Sequence, residues 1–416
     1  NALADAGIYS HNEAKQVCDT LDSIQNDFQN GKLAFPHQAE DIHSANEYWL
    51  TERLGETGAR IHTGRSRNDQ VVTDLKLFLM RKNSLLQQAV LKLQSTLVNK
   101  ADEHKGTVFP GQTHLRQAQP VSFAHYLLSF FFQLQRDRDR LKNAFERCDS
   151  MPLGAGAIAG AGFPLDREKL ANELGFSRIT ENSYDATSDR DFVNELLFCC
   201  SQIMVHLSRL AEDLIIWSAE GYRFLELDEA FSTGSSMMPQ KKNPDSLELI
   251  RGKSARVIGN QMAGLTLVKG IPTAYVRDLQ EDKEPVFDSL HQTRISVEIL
   301  AGVMNSLVIF PKRMQEALSP ELYATDMADY LVRKGIPFRQ AHSIIGKIIS
   351  RAEKQHVPLN LLSLEDMKQY SNIIESDIYS CFSVERALEN RNIAGGTGPV
   401  SINRQLESAR HLLAEI

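Results

Sequence analysis

Phe192-Val-Asn-Glu-Leu-Leu-Phe-Cys-Cys-Ser-Gln-Ile-Met-Val-His-Leu-Ser-Arg-Leu-Ala-Glu-Asp-Leu-Ile-Ile-Trp217 decides the fold class. Phe192, Leu196, Cys199, Ile203, Leu207, Leu210, Leu214 and Trp217 recur at steps of three and four residues, the spacing of one helical face. Cys200, Met204, Ile215 and Ile216 flank that face, so the helix is expected to be covered on more than one side. No proline occurs from Leu165 to Met238 or from His37 to Phe109, which leaves both stretches open to uninterrupted helix. In the second of these, Leu85, Leu86, Ala89, Val90, Leu93 and Leu97 continue a stripe begun by Leu75, Leu79 and Lys82, and predict one long amphipathic helix.

A third helix is expected from Asn243-Pro244-Asp245 to about Val268, with Asn243 as N-cap, proline at the first helical position and an acid in the first turn. Alternating strand patterns are nearly absent. The expected fold is therefore all-α, a bundle of long helices that bury their apolar stripes against one another. No repeat of solenoid length is visible. Gly154-Ala-Gly-Ala-Ile-Ala-Gly-Ala-Gly162 has the wrong spacing for a phosphate loop and follows no strand, so it reads as a tight turn between helices.

The chain has 416 residues with 42% hydrophobic and 24% charged, which excludes a disordered tail, a collagen-like repeat and a disulfide-dense mini-domain. Its net charge of −7 gives no general attraction to nucleic acid or anionic membrane, and neither partner is expected. The longest apolar run, Leu196 to Cys200, is far below the roughly 20 residues that cross a bilayer. The chain opens without the basic and apolar pattern of a secretory signal, and its start at Asn1 rather than Met suggests a missing beginning. The five cysteines show no CxxC pair and read as reduced thiols of a cytoplasmic protein, with metal ligation a distant second. No metal-ligand spacing occurs, so no metal is expected.

Chemistry is concentrated in Phe231-Ser-Thr-Gly-Ser-Ser-Met-Met-Pro-Gln-Lys-Lys-Asn-Pro-Asp245. Small residues, two prolines and two adjacent lysines before a helix start compose a mobile anion-binding loop, whose natural guest is a carboxylate. The plainer reading is a solvated linker. Gly234 and the serines let backbone approach a ligand, while Lys241, Lys242 and the helix dipole supply positive charge.

Gly234 to Asp245 resembles the hallmark of the fumarase/aspartase superfamily, whose members cleave a C–N or C–O bond in a succinyl-containing substrate and release fumarate. Ile61-His-Thr-Gly-Arg-Ser-Arg-Asn-Asp-Gln70 and Gly111-Gln-Thr-His-Leu-Arg-Gln-Ala-Gln-Pro120 resemble its argininosuccinate lyase branch in particular, and the similarity runs the length of the chain. The resemblance implies reversible elimination of argininosuccinate to arginine and fumarate. Removing the proton beside a carboxylate leaves a doubly charged aci-carboxylate, which needs fixed positive charge and oriented donors.

By resemblance Ser235 takes the proton, and Lys241 and Asn243 bind the dianion. A serine hydroxyl is a weak base, so Lys241, backbone N–H groups and the helix terminus must lower its pKa when the loop closes. His114 and Glu248 resemble a catalytic histidine and its carboxylate partner, which together could relay a proton to the departing guanidinium nitrogen. The division of labour between His114 and Ser235 stays open, and each of His114 and Glu248 alone has a plain structural reading. Arg67, Asn68, Thr113, Tyr275, Gln280 and Lys283 match substrate-gripping positions. Arg190, in Ser188-Asp-Arg-Asp191, is a further substrate candidate or part of a helix-capping ion-pair cluster.

The family fold implies an N-terminal helical domain (1–64), a central long-helix domain (65–313) and a C-terminal helical domain (314–416). It also implies a homotetramer with a twenty-helix core, active sites shared between subunits and no cofactor. Relatives carry a few dozen further residues before the position of Asn1, including a serine that touches substrate. Other fumarate-releasing lyases (adenylosuccinate lyase, aspartase, fumarase) are the nearest alternative. A crystallin-like structural role on the same fold is the alternative from another class.

Overall fold

The computed structural model describes residues 1–415. Helix α1 (His11–Gln29) starts at a capping box in which the Ser10 hydroxyl accepts from the Glu13 amide and Glu13 accepts from the Ser10 amide. Helix α2 (Ile42–Leu54) is capped by Asp41, whose carboxylate accepts from the Ser44 amide at 2.9 Å. Five long helices follow: α3 (Arg67–Glu103), α4 (Phe123–Cys148), α5 (Asp191–Ser218), α6 (Asp245–Val268) and α7 (Lys283–Ser306). The chain ends with α8 (Ala324–Arg333), α9 (Phe338–Gln355) and α10 (Pro399–Ala414).

The long helices form where their apolar stripes run. In α3, Leu75, Leu79, Leu86, Val90, Leu93 and Leu97 are all buried, but Leu85 is 39% exposed. One residue from Leu86 is a rotation of about 100°, which carries Leu85 off the stripe. In α5, Cys200 and Met204 are as fully buried as Ile203, whereas Ile215 and Ile216 are only half-buried, so the extra cover expected beside the main stripe is complete at Cys200 and Met204 and partial toward the end of the helix. A fully buried leucine contributes roughly 1.5–3 kcal/mol relative to an exposed one, so such stripes hold the helices in place.

Two sequence expectations change at this level. The first turn of α6 begins one residue later than expected: the Pro244 carbonyl accepts from the Leu247 and Glu248 amides, and Asn243 lies outside the helix in a short strand. The strands are also more than incidental. β1 (Val108–Thr113) and β2 (Arg116–Ser122) form an antiparallel hairpin with Pro110 opposite Pro120 and an irregularity at Gly111/Gln112. Prolines at both pairing positions and the irregularity erase the alternation by which a strand is recognised.

The chain divides into two compact units, each assembled from three separated segments. The first comprises Asn1–Leu85, Arg140–Cys199 and Ile258–Leu290. Its N-terminal core gathers Tyr9, Val17, Ile24, Ala45, Trp49 and Leu50. In the same unit Asp69 accepts from the Gly154 and Gly156 amides at 3.0 and 2.8 Å, which fixes the glycine-rich segment as a turn.

The second unit comprises Leu86–Asp139, Cys200–Val257 and the chain from His291 onward. Its C-terminal core is built on Met327, Leu331, Ile345, Ile348, Leu359 and Ile374. Among the described residues, no helix is long and apolar enough to cross a membrane.

Candidate active site

The β1–β2 hairpin presents Thr113 and His114. Its two-residue tip, His114-Leu115, has φ of 55° and 56°, the pair of left-handed conformations that a type I′ turn demands. Neither residue is glycine, so the tip is held in a conformation costing of order 1 kcal/mol or more per residue. Thr113 and His114 border a cavity of about 650 Å³ with Gln112, Gln119, Tyr126 and Trp217. Inside it the Tyr126 hydroxyl donates to Asp213 at 2.9 Å, and burial pushes both groups above their usual pKa.

In the hallmark loop, β3 (Thr233–Gly234) pairs with β4 (Lys242–Asn243) and closes the segment between them. Ser235 Oγ accepts from the Met237 and Met238 amides at 3.2 and 3.0 Å. Two N–H donors aimed at one hydroxyl oxygen favour its anionic form. The Thr233 hydroxyl donates to Asp245, and the Ser235 amide donates to the Lys241 carbonyl at 3.3 Å. Lys242 is engaged by Glu226 and Glu229, both at 3.2 Å, whereas Lys241 is exposed with no carboxylate within 4.0 Å among the described residues. Glu248 lies in the first turn of α6, 3.8 Å from Arg251.

The remaining candidates meet in the first unit. Arg67, Asn68, Tyr275, Gln280 and Lys283 line one cleft of about 820 Å³. Arg67 is aimed by Asp41, at 3.0 Å, and by the Ser44 hydroxyl, at 3.0 Å. Burial alone would raise the Asp41 pKa, but the Ser44 amide and Arg67 outweigh it and hold the carboxyl below its usual range. Lys283 pairs with Asp282 at 2.7 Å, and Asp282 also pairs with Arg190. Arg190 is buried and does not line the cleft; beside it, Asp189 accepts from the Asp191 amide at 2.8 Å where α5 begins.

The candidates thus fall into three groups. Five share the cleft, Thr113 and His114 share the hairpin cavity, and Ser235, Lys241 and Asn243 share the loop, with Glu248 just beyond it; Arg190 belongs to none of these and is buried against Asp282. Among the described residues, no hydrogen bond or ion pair within the chain joins His114 to Ser235, Lys241 or Glu248.

The sequence reading missed several polar residues. Asp69 is buried and accepts from the Ser66 amide at 3.1 Å; Ser66-x-x-Asp69, the spacing of a capping box, was the available signal. Lys76 is buried against the Ser150 hydroxyl at 3.0 Å and Asp189 at 3.4 Å, and nothing in its sequence neighbourhood announces this. Among the described residues, no group of three His, Cys, Asp or Glu side chains stands at metal-binding geometry.

Comparison with known proteins adds the family context. The family model described as Lyase matches residues 1–259, and the one described as Argininosuccinate lyase C-terminal matches residues 321–389. The chain is 45% identical to argininosuccinate lyase of Carboxydothermus hydrogenoformans over 99% of its own length and 91% of that protein. It is 46% identical to argininosuccinate lyase of Bacillus cereus strain B4264 over 100% of its length and 90% of that protein. Among solved structures, EDDS lyase in complex with formate superimposes with a TM-score of 0.90 at 29% identity, covering 99% of this chain and 83% of that one.

Proposed function

This chain belongs to the argininosuccinate lyase family, and from that premise we propose how its residues divide the reaction. The protein is a carbon–nitrogen lyase that cleaves argininosuccinate to arginine and fumarate. The other fumarate-releasing activities and the crystallin-like role are not favoured.

Ser235 Oγ takes the proton from the carbon beside a succinyl carboxylate, and Lys241 and Asn243 meet the resulting dianion. The C–N bond then breaks, and His114, paired with Glu248, returns a proton to the departing guanidinium nitrogen. One observation carries this division: two backbone amides donate to Ser235 Oγ within the hallmark loop, the environment in which a serine hydroxyl can act as a base. Thr113 adds a hydroxyl beside His114. Arg67, Asn68, Tyr275, Gln280 and Lys283 grip the substrate's polar groups, and Arg190 acts one step back, through Asp282 on Lys283.

The groups are united in a homotetramer whose sites draw on several subunits. The exposed side of α6 supports this: Ile258, Met262 and Leu265 are 40, 58 and 46% exposed, and a Cβ added at Gly252 or Gly259 would meet open space, so a second helix can approach closely. The three regions 1–64, 65–313 and 314–416 are the domains of that assembly. A cytoplasmic location is in keeping with the five cysteines of the sequence, none of them in a CxxC pair.

The test is to add argininosuccinate and follow the ultraviolet absorbance of fumarate. Ser235→Ala and His114→Ala are each expected to lose several orders of magnitude in turnover, and unchanged turnover in either removes that residue from the mechanism. Sedimentation of an active monomer would exclude the shared-site tetramer.

A further inference from the structure

The cleft that holds Arg67 and Lys283 also carries three carboxylates, which differ in what already engages them. Asp41 is bound to Arg67 and to the Ser44 amide. Glu40 is bound to Arg277 at 2.8 Å. Asp74 has no guanidinium or ammonium within 4.0 Å among the described residues; its one close polar neighbour is His43 Nε2 at 3.4 Å. Burial pushes the His43 pKa down, so that imidazole is neutral near pH 7 and offers no counter-charge.

Helix α3 places Asp74 there by its period. Arg67, Asn68, Val71, Asp74, Leu75 and Phe78 all line the cleft, at i, i+1, i+4, i+7, i+8 and i+11 of one face. Asp74 therefore follows the anion-binding pair Arg67 and Asn68 by about two turns, roughly 10 Å along the helix. Phe78, one turn further, packs its ring 4.7 Å from that of Phe287. The side chain of Asp74 is 55% exposed, on the solvent side of a concave wall. The protein around it, only partly offset by Arg65, pushes its pKa up to about 6. The charged and titratable groups of the cleft around it are His43 from α2, Arg67 from α3, Lys283 from α7, and Glu40, Asp41 and Arg277, with Arg65 acting on it from just before α3.

We propose that Asp74 is a specificity-determining residue that receives the guanidinium group of the substrate, while Arg67, Asn68 and Lys283 take carboxylates. A cleft offering only Arg67, Asn68 and Lys283 to a ligand would suit fumarate; a further carboxylate, Asp74, with no cation within 4.0 Å among the described residues suits a ligand that carries both signs. Argininosuccinate is such a ligand, and the proposal rests on the lyase reading given above.

The reverse reaction separates the two halves, because arginine brings the cation and fumarate brings only anions. In the intact enzyme, Asp74→Asn is expected to raise KM for arginine by about 10- to 100-fold, the usual scale for losing a charged hydrogen bond, with KM for fumarate changed less than about two-fold. Asp74→Glu should recover most of the loss, and unchanged melting curves confirm that both variants fold. In the wild type, citrulline, the neutral analogue of arginine, should compete at least about 10-fold more weakly than arginine, and Asp74→Asn should abolish that preference. Equal effects on arginine and fumarate, or no effect on either, would overturn the assignment. A wild-type enzyme that makes no argininosuccinate from arginine and fumarate would instead overturn the lyase reading itself.

Discussion

The ring of Phe231 rests on Gly302 so closely that a Cβ at position 302 would lie 2.5 Å from Phe231 Cζ. Phe231 opens the hallmark loop, and its carbonyl accepts from the Ser246 hydroxyl at 2.7 Å. The entrance to the loop is therefore pinned to both α7 and α6. Gly302→Ala should gain up to about 1 kcal/mol of helix propensity, yet it must displace the ring. We expect kcat to fall by about 10- to 100-fold through misplacement of Ser235 with little change in melting temperature. Steady-state kinetics beside a thermal melt checks this, and an unaltered kcat would show that the anchor does not position the loop.

The hairpin tip offers the opposite trade. Leu115 is 70% exposed and has φ of 56°, a conformation that glycine adopts at little cost. Leu115→Gly should raise stability by about 1 kcal/mol in urea unfolding. A loss of stability would mean that the leucine side chain has a contact worth more than the strain.

Arg190 and Asp282 are both about 1% exposed in their ion pair, and Asp282 holds Lys283 as well. Removing Arg190 leaves the buried Asp282 with Lys283 alone, a partner 31% exposed, to balance its charge. Arg190→Met should therefore cost about 2–3 kcal/mol, below the full 3–5 kcal/mol of a buried charge left with no partner, read as a lower urea midpoint. A cost under about 1 kcal/mol would show that the pair is hydrated and structurally minor.

Asp74 gives a pH signature of defined sign. Its folded pKa of about 6 exceeds the ordinary 3.8, so as pH falls from about 6 to about 4 the folded state binds a proton that the unfolded state does not. This residue alone makes stability rise as pH falls through that window and imposes a penalty above it. Asp74→Asn should remove that slope and stabilise the protein at pH 7, by about 1 kcal/mol or less given its exposure to solvent. Parallel wild-type and variant stability curves from pH 4 to 7 would contradict the raised pKa.

What was legible in the sequence was what local spacing encodes. The stripe of α5, from Phe192 to Trp217, needs only a three- and four-residue recurrence, and the helix stands where that recurrence runs. The loop chemistry was legible for a similar reason, since Gly234, Ser235, Lys241 and Asn243 are near neighbours along the chain. The β1–β2 hairpin was not, because Pro110, Pro120 and the irregularity at Gly111 break the alternation that identifies strands.

By itself, the sequence determined the all-α class, the long helices and the residues of the loop, because helical period and motif spacing are properties of adjacent residues. Only the tertiary structure decided that Gly154 and Gly156 serve Asp69, that Asp282 stands between Arg190 and Lys283, and that Asp74 shares a cleft with Tyr275. Such partners lie far apart along the chain. What each charge meets, and how far water is excluded from it, depends on packing between segments, which no local pattern records.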